Sequence, residues 1–408
     1  MKCRHCDTPL ETSVLDLVAA PPSNAYLDAS ALNRPEKYFP LRVLVCEQCW
    51  LVQTEDFAQA DELFTEDYGY FSSMSASWLE HSKTFVTAMA ERFDLGAEAM
   101  VCEVAANDGY LLQYVAERGI PCYGVEPTHA TAEAARAKGI EIFEEFFGEA
   151  VGARRAAEGK AADLTAANNV LAHVPFINDF VAGFREVLKP AGVSSFEFPS
   201  VVNLIEGNQF DTVYHEHFSY LSLTAVKTVF EDNGLSVFDV EELPTHGGSL
   251  RVLAQRSDTG ARPVSEAVGR VLAREEATGV TTRAFYTALQ ARADTVKDDF
   301  VAFLIDAKAK GLKVGAYGAA AKGNTLMNYA GLKPDLLPYV VDRSPGKQGR
   351  WMPGSRIPIV AEEHLKADRP DIVVILPWNL RREIAGQLDY IRDWAGKFAV
   401  AVPALEVF

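Results

Sequence analysis

Two neighbouring stretches of the sequence are the clearest guide to the fold: A-M-V-C-E-V-A-A-N-D-G-Y-L-L (Ala99–Leu112) and P-C-Y-G-V-E-P (Pro121–Pro127). The first predicts a buried strand over Ala99–Ala106, a turn at N-D-G and a helix over Tyr110–Arg118, and the second predicts another strand. Alternating strands and helices of this kind predict a parallel, Rossmann-like sheet with helices on both faces. Further strand patterns follow at residues 140–143, 162–171 and 193–198, with a hairpin pair at 235–243 and 249–255.

Acidic residues end the first two predicted strands. Glu103 precedes a glycine-containing turn, and Glu126 ends the second strand. A carboxylate roughly 20 residues beyond a first-strand loop can accept hydrogen bonds from ribose hydroxyls. This loop lacks G-x-G-x-x-G, so it offers no run of bare amides to a pyrophosphate. An adenosyl ligand without phosphates fits better, and S-adenosylmethionine is the common one. The alternative is an ordinary α/β turn with two incidental acids.

The composition limits the classes of partner. The chain has 408 residues, enough for two or three domains, and its 39 basic and 56 acidic side chains give a net charge of −17. Nucleic acid is therefore not an expected partner. No apolar run is long enough to span a bilayer, and the start M-K-C-R-H-C has no apolar signal region. We expect a cytoplasmic protein without a membrane partner.

Four of the six cysteines form two C-x-x-C pairs, Cys3/Cys6 and Cys46/Cys49. Two intervening residues let both thiolates reach one tetrahedral ion, and two such pairs complete a four-cysteine zinc site. A closed site of this kind leaves no open position for catalysis, so the expected zinc is structural. A redox dithiol is the alternative.

The stretch V-Y-H-E-H-F-S-Y (Val213–Tyr220) gathers groups suited to acid–base chemistry behind the strand pattern F-E-F-P-S. Chemistry in open α/β sheets lies at the carboxyl ends of strands, and a histidine there can take a proton near neutral pH. Tyr214, Glu216 and His217 are therefore the predicted reaction centre. The alternative is a polar loop whose histidines only satisfy backbone groups.

A second doubly wound sheet is expected near the C-terminus. K-V-G-A-Y-G-A-A-A-K-G-N-T (Lys313–Thr325) predicts a strand, a Gly/Ala-rich turn and a helix, and later strand patterns follow at 338–342, 371–377 and 398–402. Amides near Gly318–Gly323, together with Lys322, could hold a diphosphate. Alternatively, this sheet is a degenerate nucleotide fold that only packs and shapes the cleft.

Together, these motifs resemble the sugar C-methyltransferase family, whose S-adenosylmethionine-dependent members build branched deoxysugars. Besides the cysteine pairs, the matching stretches are E-V-A-A-N-D-G-Y-L-L, G-V-E-P, N-N-V-L-A-H-V (168–174), F-D-T-V-Y-H-E-H-F-S-Y (210–220), H-G-G-S-L-R-V (246–252) and G-A-Y-G-A-A-A-K-G-N (315–324). One departure is Ala105, where many relatives carry glycine. The resemblance implies a zinc-binding domain at 1–66, a class I methyltransferase domain at 67–256 and a C-terminal Rossmann-like domain at 257–408.

The resemblance also implies a reaction: methylation at C3′ of a dTDP- or GDP-linked 4-keto-deoxysugar after removal of the α-proton. His217 would be the base, Tyr214 a donor near the enolate, and Glu216 a partner of a sugar hydroxyl, of an amine or of His217. His173 would contact the keto oxygen, and Tyr68 would reach in after the zinc domain. The implied cofactor contacts are Glu103, Ala105, Asn107, Gly109, Glu126, Asn168 and Asn169, and the implied substrate contacts are Lys322, Asn324 and His246.

The sequence is also compatible with two other functions. The same cofactor domain could methylate oxygen or nitrogen of a small molecule, because a hydroxyl acceptor can use the same histidine base. A non-catalytic nucleotide-binding scaffold is the third possibility, although Glu103, Glu126 and the histidine loop (residues 210–220) are all present. The sequence is compatible with a monomer.

Overall fold

The computed structural model describes residues 1–55, 57 and 71–408. These residues form three β-sheets and the helices that pack against them. Strands and helices are numbered in chain order. The strands are Thr12–Ala20 (β1), Phe39–Val45 (β2), Val52–Thr54 (β3), Val101–Val104 (β4), Cys122–Val125 (β5), Glu141–Phe143 (β6), Ala162–Asn168 (β7), Leu188–Pro199 (β8), Ser219–Tyr220 (β9), Leu235–Leu243 (β10), Ser249–Arg256 (β11), Val314–Tyr317 (β12), Val340–Val341 (β13), Ile359–Val360 (β14), Ile372–Ile375 (β15), Lys397–Val400 (β16) and Glu406–Val407 (β17). The helices are Ala76–Arg92 (α1), Leu112–Glu117 (α2), His129–Ala137 (α3), Glu149–Arg155 (α4), Ile177–Val187 (α5), Val201–Glu206 (α6), Leu223–Asp232 (α7), Glu266–Thr278 (α8), Arg283–Thr287 (α9), Leu289–Ala309 (α10), Ala321–Tyr329 (α11), Glu362–Asp368 (α12) and Arg381–Gln387 (α13).

The central sheet has the strand order β10-β11-β8-β7-β4-β5-β6. Its strands are parallel from β8 to β6, and the hairpin β10–β11 adds an antiparallel partner to β8. The first strand, β4, is buried along its whole length, as its apolar sequence predicts. The chain winds in opposite directions from β4, so the switch point, where ligands bind in such sheets, lies between β4 and β7. The Rossmann-like α/β prediction is confirmed.

The N-terminal sheet has the order β1-β2-β3-β9 and is antiparallel. Its fourth strand comes from a distant part of the chain, because Ser219 and Tyr220 pair with Gln53 and Val52. The predicted reaction-centre loop thus runs directly into the sheet that carries the cysteine pairs.

The C-terminal sheet has the order β14-β13-β12-β15-β16-β17 and is parallel except for β17. The predicted second doubly wound sheet is therefore present, with β12, the Gly318–Ala320 turn and α11 in the expected order.

Two hydrophobic cores connect the sheets. One includes fully buried Leu15 of β1, Phe210 of the histidine loop and Phe300 of α10. The other packs Cys3 and Cys46 with apolar residues of the central sheet. Both cores combine side chains from more than one predicted domain. The domain limits 1–66, 67–256 and 257–408 stay a prediction. None of the helices in the described part of the chain combines the length and apolar character that a membrane crossing needs.

Candidate active site and zinc site

The four paired cysteines converge on one point. Their sulfur atoms all lie within 4.8 Å of one another, and the Sγ–Sγ distances are 3.5 Å for Cys3–Cys49, 3.5 Å for Cys6–Cys46 and 3.7 Å for Cys6–Cys49. Ligands about 2.3 Å from a tetrahedral zinc ion lie about 3.8 Å apart, so the four thiols fit Zn²⁺.

The two C-x-x-C turns have matching backbones. Asp7 and Trp50, the residues after each pair, both have positive φ angles, 58° and 60°. The Asp7 amide donates to the Cys3 carbonyl and the Trp50 amide to the Cys46 carbonyl. The fully buried Gln53 also donates from Nε2 to the Cys3 sulfur at 3.3 Å. Contacts of this kind orient metal ligands and tune their charge.

The first-strand acid, Glu103, is fully buried at the switch point. Neither of its carboxylate oxygens has a hydrogen bond of good geometry among the described residues. Burial raises its pKa well above the ordinary range, and the Tyr110 hydroxyl acts in the opposite direction. The side-chain oxygen and nitrogen of Asn168, at the end of β7, are also buried without such a partner. Orphaned polar atoms on both sides of the switch point fit a polar ligand.

The second-strand acid, Glu126, holds the first loop in place. Its Oε2 accepts from the Asn107 amide at 2.9 Å, and its Oε1 accepts from the Thr128 amide at 3.0 Å. The Thr128 hydroxyl also donates to Oε1, at 2.5 Å. A carboxylate has about four lone-pair sites, so one position, on Oε2, remains for a ribose hydroxyl.

The first loop departs repeatedly from ordinary backbone. Ala105, Asn107 and Gly109 have φ angles of 58°, 49° and 74°. A left-handed conformation costs a residue with Cβ about 1–2 kcal/mol, which explains why glycine suits position 105 better than alanine. At Gly109, an added Cβ would lie 2.5 Å from Ile140 Cδ1, so glycine is needed there for space as well.

A hydrogen bond within the histidine loop fixes the tautomer of His217. Its Nδ1 lies 3.0 Å from the Thr212 carbonyl oxygen. Since a carbonyl can only accept, Nδ1 carries the proton and Nε2 holds the lone pair that a base needs. Burial, His173 and the positive charge of Lys322 hold the His217 pKa well below its usual range, so the ring is neutral at neutral pH.

Two predicted partners surround His217. The ring centroid of Tyr214 lies 4.0 Å from that of His217, and the His173 centroid lies 4.6 Å away, edge-on. Burial lowers the pKa of His173 to about 4, so this ring is also neutral. The structure therefore brings together three of the residues predicted for the reaction centre.

The other two residues of the H-E-H stretch contact the N-terminal segment. Glu216 is buried, and its Oε1 accepts from Asn24 Nδ2 at 3.1 Å. His215 Nε2 lies 3.3 Å and 3.2 Å from the carbonyl oxygens of Phe39 and Pro40. His215 thus contacts the backbone of the N-terminal segment instead of the His217 ring.

The C-terminal sheet contributes a cation to this region. Lys322 Nζ lies 3.3 Å from Asn379 Oδ1 and 4.8 Å from the Trp378 ring centroid. The Trp378 indole donates to Asp211 of the histidine loop at 2.8 Å. Burial raises the pKa of Asp211 to about 6, and the positive charge of Lys322 acts against that shift. Lys322 thus lies where the C-terminal sheet meets the histidine loop.

The predicted residues His246 and Asn324 each contact other side chains of the protein. His246 Nε2 lies 3.2 Å from Asn169 Nδ2, and burial and Lys322 lower its pKa to about 4. Asn324 is fully buried within α11, where its side chain accepts from Asn328. Tyr68 lies outside the described residues.

Sequence reasoning missed a buried ionic network beside the first loop. Glu197 of β8 is fully buried, and its Oε2 lies 2.8 Å from His81 Nε2 and 2.9 Å from Arg251 Nη2. The antiparallel register of β8 and β11 places Glu197 directly opposite Arg251, so the hairpin pattern contained this signal. His81 in turn stacks on Trp78, whose ring lies 5.4 Å from His246.

Three family models match successive parts of the chain: a zinc binding domain over residues 3–64, a methyltransferase domain over 79–240 and a C-methyltransferase C-terminal domain over 244–403. The C-methyltransferase NovU of Streptomyces niveus is 33% identical over 404 residues, which cover 98% of this chain and 95% of that protein.

Solved structures resemble only part of the chain. Magnesium protoporphyrin IX methyltransferase of Synechocystis PCC 6803 with bound SAH is 14% identical, with a TM-score of 0.36 over 44% of this chain and 83% of that chain. The PH0226 protein of Pyrococcus horikoshii is 14% identical, with a TM-score of 0.38 over 47% of this chain and 99% of that chain.

The predicted cofactors, S-adenosylmethionine and structural zinc, agree with the methyltransferase and zinc binding domain models. The prediction of a methyltransferase enzyme is likewise confirmed by the full-length relative and by the models. The chain belongs to the C-methyltransferase family.

Proposed function

We propose that this C-methyltransferase acts at C3′ of a nucleotide-linked 4-keto-deoxysugar, by way of an enolate. The single observation that carries the proposal is His217, a partly buried, neutral imidazole whose Nδ1 is fixed on the Thr212 carbonyl. Carbon is a poor nucleophile until the α-proton leaves, so carbon methylation needs such a base.

In this mechanism, His217 Nε2 takes the C3′ proton, and the electrons of the C–H bond move into an enolate whose charge rests on the keto oxygen. S-adenosylmethionine, when bound, supplies the electrophilic methyl group. Tyr214, whose ring lies beside that of His217, is the proposed donor to the keto oxygen, and His173 is a further proposed contact of that oxygen. Preorganised donors of this kind are worth about 10²–10³-fold in rate each.

The electric field at the site also favours an enolate. The positive charge of Lys322 contributes to lowering the pKa values of both His217 and His246. A field that disfavours a protonated imidazole stabilises a developing anion at the same place. We propose that Lys322 faces the anionic side of the substrate, where it can serve the diphosphate or the enolate. Asn324 and His246 are the further proposed substrate contacts.

Cofactor binding is assigned to the central switch point. Glu126 would accept a ribose hydroxyl, and Glu103 and Asn168, with their orphaned polar atoms, would face the rest of the ligand. Ala105, Asn107, Gly109 and Asn169 form the surrounding loops.

The decisive test is His217→Asn, assayed with dTDP- and GDP-linked 4-keto-deoxysugars. The variant should bind S-adenosylhomocysteine and sugar nucleotide as the parent does, but turn over about 10²-fold or more slowly. Without a methyl donor, it should also lose exchange of the C3′ hydrogen with deuterated water.

The control is His364→Asn, which removes a histidine packed edge-on to Tyr339 in the C-terminal unit and should keep full activity. Product NMR locates the new methyl group. Near-parental turnover of His217→Asn would exclude His217 as the base, and a methyl group on oxygen or nitrogen would exclude the reaction.

A further inference from the structure

The sheet that carries the zinc ligands also holds the backbone of the proposed base. The Thr54 hydroxyl donates to the His217 carbonyl at 3.0 Å, and the Thr54 amide donates to the Phe218 carbonyl at 3.1 Å. Thr54 is only 2% exposed. The following residues, Ser219 and Tyr220, continue this contact as strand β9.

The same strand is tied to the cysteine cluster. Gln53, next to Thr54, donates from its side chain to Cys3 Sγ and accepts the Arg4 amide at 2.9 Å. Arg4 Nη2 donates to the Thr54 carbonyl at 2.9 Å, and its guanidinium lies 5.2 Å from the Phe218 ring centroid. A short run of hydrogen bonds therefore leads from the sulfur of a zinc ligand to the backbone of His217.

The central sheet holds the other side of the loop. The Phe218 amide donates to the Ala172 carbonyl at 2.8 Å, next to His173. The bond from His217 Nδ1 to Thr212 lies within the loop, so it sets the tautomer but cannot place the ring relative to the sheet. That placement requires anchors outside the loop, and Thr54 supplies two of them.

We propose that Thr54 is a positioning residue for His217, and that the zinc-bearing sheet serves as the platform that fixes the base relative to the substrate. The inference rests on the proposed role of His217. An error of about 1 Å in the position of a reacting group can cost about 10²-fold in rate, so the loss of one anchor should be visible in turnover.

The test compares Thr54→Val, Thr54→Ser and Thr12→Val. Valine keeps the shape of Thr54 but loses the hydroxyl, and serine restores it. Thr12 is a buried threonine of the same sheet whose hydroxyl contacts Glu47 instead of the histidine loop, so Thr12→Val is the matched control. Each protein is assayed for zinc content, melting temperature, kcat, KM, C3′ hydrogen exchange and the ¹⁵N NMR signals of the His217 ring, which His217→Asn identifies.

We expect Thr54→Val to keep one zinc ion and the parental KM, to lose about 10-fold in kcat and in C3′ exchange, and to shift the His217 ring signals. Thr54→Ser should return all three close to the parent, and Thr12→Val should leave them unchanged. Parental kcat and ring signals in Thr54→Val would overturn the inference, as would equal losses in Thr54→Val and Thr12→Val. If the parent itself neither exchanges nor methylates any 4-keto sugar, the proposed function fails, while the ring signals still decide whether Thr54 positions His217.

Discussion

In the central sheet, Glu126 follows β5, and in the C-terminal sheet, Asp342 follows β13; each acid ends the second strand of its unit. Glu126 accepts the amides of Asn107 in the first loop and of Thr128 two residues further on. Asp342 does the same with the amides of Ala319 and Ser344, both at 2.8 Å. In both units, an acid therefore fastens the loop that follows the first strand.

The two units differ in what surrounds that acid. In the C-terminal unit, Lys347 and Tyr26 both donate to the Ala319 carbonyl, at 2.8 Å and 2.7 Å, and thus close over the loop. The third residue of the first strand is Ala316 there, but Glu103 in the central unit. In both units the acid fastens the first loop, but only the central unit also has the buried polar groups Glu103 and Asn168 at its switch point. We therefore propose a ligand role for Glu126 in addition to its fastening role, and none for Asp342.

Cofactor affinity should respond most strongly to a change in these two acids. Glu126→Ala and Asp342→Ala each remove a loop-fastening carboxylate, but only Glu126→Ala should weaken S-adenosylhomocysteine binding, by about 10²-fold or more. A hydrogen bond from a ribose hydroxyl to a charged acceptor is worth about 1.5–3 kcal/mol, and release of the Asn107 amide from Glu126 should weaken the cofactor loop further. Titration calorimetry measures both. Parental affinity in Glu126→Ala would remove the ribose assignment, and equal weakening in the two variants would erase the distinction between the units.

A smaller effect, on the free energy of unfolding, is expected at Gly318, which follows the first strand of the C-terminal sheet, β12. Gly318 has a φ of 96°, and an added Cβ would lie 2.4 Å from Pro377 Cδ and Cγ. Gly318→Ala should therefore cost about 2–3 kcal/mol in free energy of unfolding, from backbone strain and overpacking together. Denaturant unfolding checks this, with Gly386→Ala in α13 as the control, since an added Cβ there has no neighbour within 4 Å. Equal stability of the two variants would contradict it.

The smallest effect is expected at Ala105, which follows β4 as Gly318 follows β12. Its φ of 58° is costly for alanine, so Ala105→Gly should raise the free energy of unfolding by about 0.5–1 kcal/mol. Ala106→Gly is the matched control and should destabilise, because Ala106 is fully buried and does not need a left-handed backbone. A destabilised Ala105→Gly would show that the loop depends on the alanine methyl group.

The parallel sheets could be predicted because their strands are short apolar runs bounded by turns, as in Val101–Val104 and Ile372–Ile375. Strand β1 was missed: its pairing with β2 is irregular and Val18 has a φ of 65°, so no clean alternation marks it. Strand β9 has two residues and exists only through its pairing with β3, which no local pattern can reveal.

Site residues at strand ends could be predicted from the sequence, whereas contacts between separate sheets could not. Residues at strand ends, such as Glu103, Glu126 and Asn168, could be predicted because parallel strands bring their carboxyl ends to one edge. Contacts between units could not, because the hydrogen bonds of Trp378 to Asp211 and of Thr54 to His217 depend on how separate sheets dock. The missed pair Glu197–Arg251 lies between these cases, since it follows from hairpin register.

The late arrival of β9 also constrains how the protein is made. The free edge of β3 emerges from the ribosome roughly 165 residues before Ser219 and Tyr220, a delay of roughly ten to thirty seconds at ordinary rates of synthesis. Until then, the nascent N-terminal sheet presents an unpaired edge, which is a template for wrong pairing. The edge strand is only three residues long and follows directly on a metal-binding turn. The short length of this strand limits wrong pairing, and early metal capture would fix the turn that leads into it well before the active site can assemble.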